Sequence, residues 1–121
     1  METTQPVEPA IRIAELNDRY RHHIGLPDLP AHCKIITTQG VAARFPADAL
    51  DKVLGRVKWF DTFTGDNDPW SEHDFGAFDL DGERMFWKFD YYTIDMEAGS
   101  EHPENEPDTM RVLTIMLASE Y

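Results

Sequence analysis

The stretch GDNDPWSEHDFG, residues 65–76, concentrates side chains that could take part in chemistry or recognition. It holds four carboxylates, one histidine, one asparagine and one tryptophan within twelve positions. Three interpretations fit this composition: a site for a hard cation, a catalytic loop, or a solvated acidic turn. The sequence by itself does not name an activity, but it predicts where an interaction surface lies and what charge that surface carries.

A metal site is the alternative interpretation of this loop. The side chains available as ligands are Asp66, Asp68, Glu72, His73 and Asp74. The loop departs from the EF-hand pattern, because Ser71 stands where the sixth position requires glycine and Ala77 where the twelfth requires a bidentate glutamate. His73 and His102 lack the spacing of paired zinc-binding histidines.

Nucleophilic and nucleotide-dependent chemistry has no motif in this chain. The sequence contains no G-x-S-x-G elbow, H-E-x-x-H pair, P-loop or dinucleotide fingerprint. Cys33 and His32 are adjacent, and neighbouring residues on a strand point to opposite faces. We therefore predict no catalytic residue and no cofactor, and we favour a protein that is not an enzyme.

The length and the hydrophobic content fit one small domain. A chain of 121 residues with 41% hydrophobic content can bury one core, which we place at residues 10–121 after a mobile tail at 1–9. A single cysteine excludes an intramolecular disulfide, and no signal peptide or membrane-spanning run is visible. These features predict a cytoplasmic protein without a membrane partner.

Charge is divided unevenly along the chain. Residues 1–60 carry eight lysines and arginines against seven acids, whereas residues 61–121 carry three against sixteen, within a net charge of -12. Such a field repels nucleic-acid phosphates and attracts basic protein surfaces. Direct binding to nucleic acid is therefore not expected, and a basic or nucleic-acid-binding protein is the predicted partner.

Two segments have the apolar spacing of amphipathic helices. Apolar residues recur at three- and four-residue steps from Ile13 to Ile24, and Gly25 then ends the first helix. The second helix lies within residues 45–60, where an apolar stripe runs between early acidic and late basic residues. Between them, the β-branched run CKIITTQ, residues 33–39, predicts a strand.

The dipeptide Asp81-Gly82 lies between two alternating runs and predicts a two-residue hairpin turn. That turn fixes the register, so Gly76 opposes Trp87 and leaves room for its ring. Five apolar side chains then share the face expected to meet the helices: Phe78, Leu80, Met85, Trp87 and Phe89.

The C-terminal segment TMRVLTIMLASEY, residues 109–121, fits either a third strand or a helix, and we favour the strand. The predicted fold is therefore α+β. It is a small antiparallel sheet around one β-hairpin, with two helices packed on one face.

Two acidic loops flank the hairpin, and its two ends lie together opposite the turn, so the loops should converge. They span residues 61–74 and 95–108, and the second holds no lysine or arginine. Repulsion between so many carboxylates opposes folding, so their clustering indicates a function. A solvated charged rim without a partner also fits the pattern. The predicted partner-binding residues are Asp66, Asp68, Trp70, Glu72, Asp74, Tyr91, Tyr92, Asp95, Glu97, Glu101, Glu104 and Glu106.

The position of the Trp70 side chain distinguishes a binding surface from a solvated charged rim. An exposed aromatic side chain surrounded by charged residues is typical of protein interfaces. A ring that packs back onto the core would instead stabilise the fold. The favoured function is a small acidic binding or inhibitor protein. One form of it is a nucleic-acid mimic acting against a host defence system, of anti-CRISPR or anti-restriction type. A metal-dependent enzyme or metal-binding module is the alternative.

The motifs DNDPWSEHDFGAF, DGERMFWKFDYY and TMRVLTIMLASEY resemble a family of small bacterial proteins, the domain of unknown function numbered three-seven-six-eight. The similarity covers the chain from about Ile11 to Tyr121. The resemblance implies no established activity, cofactor or catalytic residue. Members tend to occur on plasmids and other mobile DNA, which implies a role against host defence or in the upkeep of the element.

Overall fold

The computed structural model describes residues 8–121. This part of the chain forms three α-helices: α1 at Pro9–His22, α2 at Gln39–Arg44 and α3 at Asp48–Lys58. It forms four strands: β1 at Cys33–Thr37, β2 at Phe75–Leu80, β3 at Glu83–Tyr92 and β4 at Met110–Leu117. Most of the predicted tail, residues 1–7, lies outside the described residues, and Pro9 already begins α1.

The four strands form one sheet in the order β1-β4-β3-β2. The β4-β3 and β3-β2 pairs are antiparallel, and β1 pairs parallel to β4. The α+β class is confirmed, with one parallel pair that the sequence did not reveal. A parallel neighbour needs a long crossover, and the chain between β1 and β4, which contains two helices and the hairpin, supplies it.

The hairpin has the predicted turn and register. Asp81 and Gly82 both adopt positive φ, 51° and 79°, as a two-residue primed turn requires. Gly76 lies opposite Trp87. A methyl group at Gly76 would collide with the fully buried indole of Trp87, so this glycine makes room for the largest side chain of the core.

The short helix α2 was not predicted. Its six residues are too few to show a helical period. The strand predicted at 33–39 also extends over Thr38, which precedes the helix. Thr38 instead caps the helix, because its side-chain oxygen accepts a hydrogen bond from the amide of Val41 at 3.3 Å. Val41 is fully buried, so α2 adds a third helix to the core.

The core lies between the helices and one face of the sheet. Val53 and Val57 of α3 and Met85 and Trp87 of β3 are fully buried there. The C-terminal segment is a strand, as favoured, and β4 places Ile115 in the same core. None of the helices in the described chain is long and apolar enough to cross a membrane.

Candidate interaction site

Trp70 lies in the loop between α3 and β2, and 75% of its surface is exposed. Backbone hydrogen bonds shape this loop: the amide of Asp68 donates to Thr64 O at 2.8 Å, and that of Ser71 to Asp68 O at 3.1 Å. Ser71 and His73 adopt positive φ, which turns the chain sharply after the tryptophan. The indole is therefore presented to solvent by a hydrogen-bonded turn and does not cover the core.

Asp68 belongs to the framework of this loop. Its side chain is buried and accepts hydrogen bonds from the amides of Glu72 and His73 at 3.0 and 3.1 Å. A buried carboxylate that is held by two amides has little surface to offer a partner. The nearby Asp66 is exposed, so it is the acid of this turn that a partner can reach.

His73 attaches the loop to α1. Its Nδ1 lies 2.9 Å from Asp18 Oδ1, and its ring stacks on Phe63 with centroids 3.8 Å apart. Its Nε2 lies 3.8 Å from Asp68 Oδ2, so both ring nitrogens face carboxylates. No sequence pattern indicates Asp18 as a partner, because 55 residues separate it from His73.

A buried polar group joins both acidic loops to α1. Asn17 donates through Nδ2 to Glu72 O at 3.0 Å and to Tyr91 Oη at 2.8 Å. Its Oδ1 accepts from Arg111 Nε at 3.0 Å, and Arg111 also donates to Pro103 O in the second loop. Asn17 and Arg111 are fully buried. The only sequence signal for this arrangement is a polar residue inside an apolar segment, which is clear for Arg111 in MRVLTIML.

The two tyrosines at the end of β3 face different surroundings. Tyr91 packs against the core, and burial raises the pKa of its hydroxyl. Tyr92 is half-buried and bridges to Gly99. Tyr91 is therefore part of the support beneath the loops, and Trp70 is the exposed aromatic residue of the predicted set.

The second acidic loop is divided into parts with different roles. Glu106 is fixed to α1, where its carboxylate accepts a hydrogen bond from Tyr20 Oη at 2.6 Å and pairs with Arg19. Asp95 accepts from Thr93 Oγ1 at 2.5 Å and from the amide of Glu97, and these hydrogen bonds hold its pKa below the usual range. The carboxylates of Glu97 and Glu101 are left exposed.

Glu72, Asp74 and Glu104 mark where the two loops converge. Burial, together with the charges of Asp74, Asp68 and Glu104, raises the pKa of Glu72. Burial and the neighbouring charges of Asp68 and Asp90 likewise raise the pKa of Asp74. Carboxylates of both loops thus lie within electrostatic reach of one another, and their ionisation at neutral pH opposes folding.

Two further observations concern the metal-ligating side chains and the single thiol. In the part of the chain that the structure describes, no group of three or more His, Cys, Asp or Glu side chains is placed to hold a metal ion. Burial raises the pKa of Cys33 to about 11, so its thiol is protonated at neutral pH and is a poor nucleophile. The metal-dependent alternative stays a prediction, which calorimetry with Mg²⁺, Mn²⁺, Ca²⁺ and Zn²⁺ can test.

Comparison with known proteins adds a family but no activity. Residues 37–120 match the family described as "Protein of unknown function (DUF3768)". The chain belongs to this family. The matched DUF3768 region includes α2, α3 and all of the sheet except most of β1, so both acidic loops lie within it. The search of curated proteins and the search of solved structures find no match.

Proposed function

We propose that this protein is a binding protein without enzymatic activity that presents Trp70 and the surrounding carboxylates to a basic protein surface. The observation that carries the proposal is the exposure of Trp70 from a hydrogen-bonded turn. Exposing most of an indole to water is unfavourable, and an aromatic side chain of this kind contributes strongly to binding when a partner buries it. The carboxylates around it add attraction to basic groups and raise the rate of encounter.

The energetics of the acidic residues support the same function. Glu72 and Asp74 are partly buried next to other carboxylates, and both effects raise the pKa of each. A cationic partner would relieve this repulsion, so part of the binding free energy would come from charges that oppose folding in the free protein.

A nucleic-acid mimic is the specific form of this function that we propose. A surface of closely spaced carboxylates can imitate a phosphate backbone and occupy the groove of a nucleic-acid-binding protein. Inhibition of a host defence system, of anti-CRISPR or anti-restriction type, would follow if that protein is a defence nuclease. The sixteen acids of residues 61–121 supply the charge for such mimicry.

The test is an affinity capture from nuclease-treated host lysate with the protein immobilised. The test variants are Trp70→Ala and the triple amide variant of Asp66, Glu72 and Glu104. Matched controls are Trp59→Ala, which removes the other exposed indole, and the triple amide variant of Asp28, Asp48 and Asp51. We expect the wild type and both controls to retain one basic protein, which double-stranded DNA displaces and which both test variants fail to retain.

Two outcomes would contradict the proposal. A partner retained equally by both test variants would show that binding lies elsewhere on the molecule. A partner lost from both test variants but not displaced by DNA would keep the acidic binding surface and exclude mimicry.

A further inference from the structure

The outer edge of β2 is an exposed sheet edge, and the groove beside it begins where the first acidic loop leaves α3. β2 is the last strand of the sheet, and within residues 8–121 no strand pairs with its outer side. In the hairpin register, Phe75, Ala77 and Asp79 alternate with the residues that bond to β3, so their backbone groups point outwards. Arg56 confirms this direction, since its Nη1 donates to Asp79 O at 3.2 Å.

A groove of about 550 Å³ runs between this edge and the C-terminal end of α3. Trp59, whose surface is 65% exposed, and Phe60 form its aromatic side, and Ala77 lies on the strand side. The groove thus combines outward-pointing backbone donors and acceptors with space for apolar side chains. These are the two elements of strand addition, in which an extended peptide pairs with a sheet edge and places alternate side chains in a groove.

Charge indicates what kind of peptide fits. Lys52, Arg56 and Lys58 of α3 form no ion pair within the described chain, although the protein has 23 aspartates and glutamates against 11 lysines and arginines. Arg56 and Lys52 are four residues apart and so lie on the same side of the helix, and Arg56 lines the groove. Arg84 lines it from β3 and makes one exposed contact of 3.4 Å with Asp79. Asp61 and Asp79 also line the groove and balance its two arginines. The excess positive charge at its border therefore comes from Lys58, which lies over the Trp59 ring, and from Lys52 one turn before Arg56.

We propose that the β2 edge binds an extended acidic segment of a partner protein, which adds to the sheet as a fifth strand. The backbone of the segment pairs with Phe75, Ala77 and the amide of Asp79, whose carbonyl oxygen already accepts a hydrogen bond from Arg56. Its carboxylates face Arg56, Lys58 and Arg84, and an apolar side chain enters the groove beside Trp59. A nucleic acid does not fit this edge, because it has no peptide backbone to pair with a strand.

The test uses a fluorescein-labelled peptide of alternating valine and glutamate, about eight residues long. A peptide with lysine in place of glutamate is the matched control. Fluorescence anisotropy at low salt should give at least about tenfold tighter binding for the glutamate peptide, weakening as salt rises. In ¹⁵N NMR spectra of the wild type, the amides of Ala77 and Asp79 should show the largest shifts.

Three variants locate the site. Ala77→Pro removes an outward donor at an edge-strand position and should weaken the glutamate peptide about tenfold. Arg56→Glu should weaken it by a similar factor, whereas Lys34→Glu, on the strand at the opposite edge, should leave it unchanged. The NMR map of the wild type decides the matter if a variant fails to fold.

Several results would overturn the proposal. They are equal affinity for the two peptides, equal loss with Lys34→Glu, or amide shifts confined to the acidic loops. Concentration-dependent dimerisation that Ala77→Pro abolishes would show that a second copy of this chain occupies the edge instead. None of these results bears on Trp70, so the two proposals fail separately.

Discussion

The two exposed tryptophans lie in opposite chemical surroundings. Trp70 stands among carboxylates, in a loop that joins α3 to β2. Trp59 directly follows α3, with Lys58 Nζ 5.2 Å from its ring centroid and the ring of His22 at the same centroid distance. The third tryptophan, Trp87, is fully buried in the core. The described chain thus exposes one tryptophan in an acidic loop and one beside basic residues, and the two proposals assign them to partners of opposite charge.

The two regions are also held in different ways. The groove beside Trp59 is built on a helix and a hairpin, whose own backbone hydrogen bonds fix the surface. The loop of Trp70 has no regular structure, and it is held by the side chains of Asp68, His73 and Asn17. Loops that carry repelling charges need such fixed polar contacts from beneath, since apolar packing alone does not orient their backbone. The following substitutions act on one region and spare the other.

The largest effect is expected for Arg111→Met. This change leaves Asn17 Oδ1 and Pro103 O without their buried donor and should cost about 3 kcal/mol of unfolding free energy. Chemical denaturation measures the loss. Hydrogen exchange should become faster in both acidic loops and stay slow in the β2-β3 hairpin; uniform acceleration would mean that the two regions are not separately supported.

Gly76→Ala tests the region of the groove. A methyl group there would strike the indole of Trp87, and a strand fixed by its neighbours cannot easily move away. We expect a loss of about 2 kcal/mol, with altered near-ultraviolet circular dichroism from the displaced tryptophan. Gly55→Ala is the control, because a methyl group at that position meets open space. An unchanged unfolding free energy for Gly76→Ala would show that β2 can move away from Trp87 without loss of stability.

Asp68→Ala tests the turn that presents Trp70. The amides of Glu72 and His73 would lose their acceptor, and the cost should be about 1.5 kcal/mol. In ¹⁵N NMR spectra, the indole signal of Trp70, assigned by comparison with Trp70→Ala, should report a more mobile side chain. Asp66→Ala removes an exposed acid from the same turn and should change stability by no more than about 0.5 kcal/mol. Equal effects for the two would remove the structural role assigned to Asp68.

Glu72→Gln should produce the smallest effect, and in the stabilising direction. The pKa of Glu72 is raised in the folded protein, so its contribution to stability is complete below the unfolded pKa of about 4.3 and is lost as pH rises through the folded pKa. At pH 7 the variant should be more stable by about 0.5 kcal/mol or less, and the gain should disappear below about pH 4. Thermal unfolding across this range, with the exposed Glu97→Gln as control, measures it.

Local patterns were sufficient for most of the fold. The Asp81-Gly82 turn predicted the complete register of the hairpin, and the apolar spacing predicted α1 and α3. The α+β class and the strand at the C-terminus are also confirmed. The missed features are α2, which is too short to show a period, and the parallel pairing of β1 with β4. That pairing joins strands far apart in the chain, so no local pattern specifies it.

The sequence determined by itself which loops are acidic, where the hairpin turns and which aromatic residue lies among the carboxylates, because these depend on composition and short-range geometry. Only the tertiary structure decided that Trp70 is exposed while Asp68 and Tyr91 are engaged beneath the surface. The reason is distance along the chain. Asn17 meets Tyr91 across 74 residues and Arg111 across 94, and side chains so far apart become partners only when packing brings α1 onto the sheet.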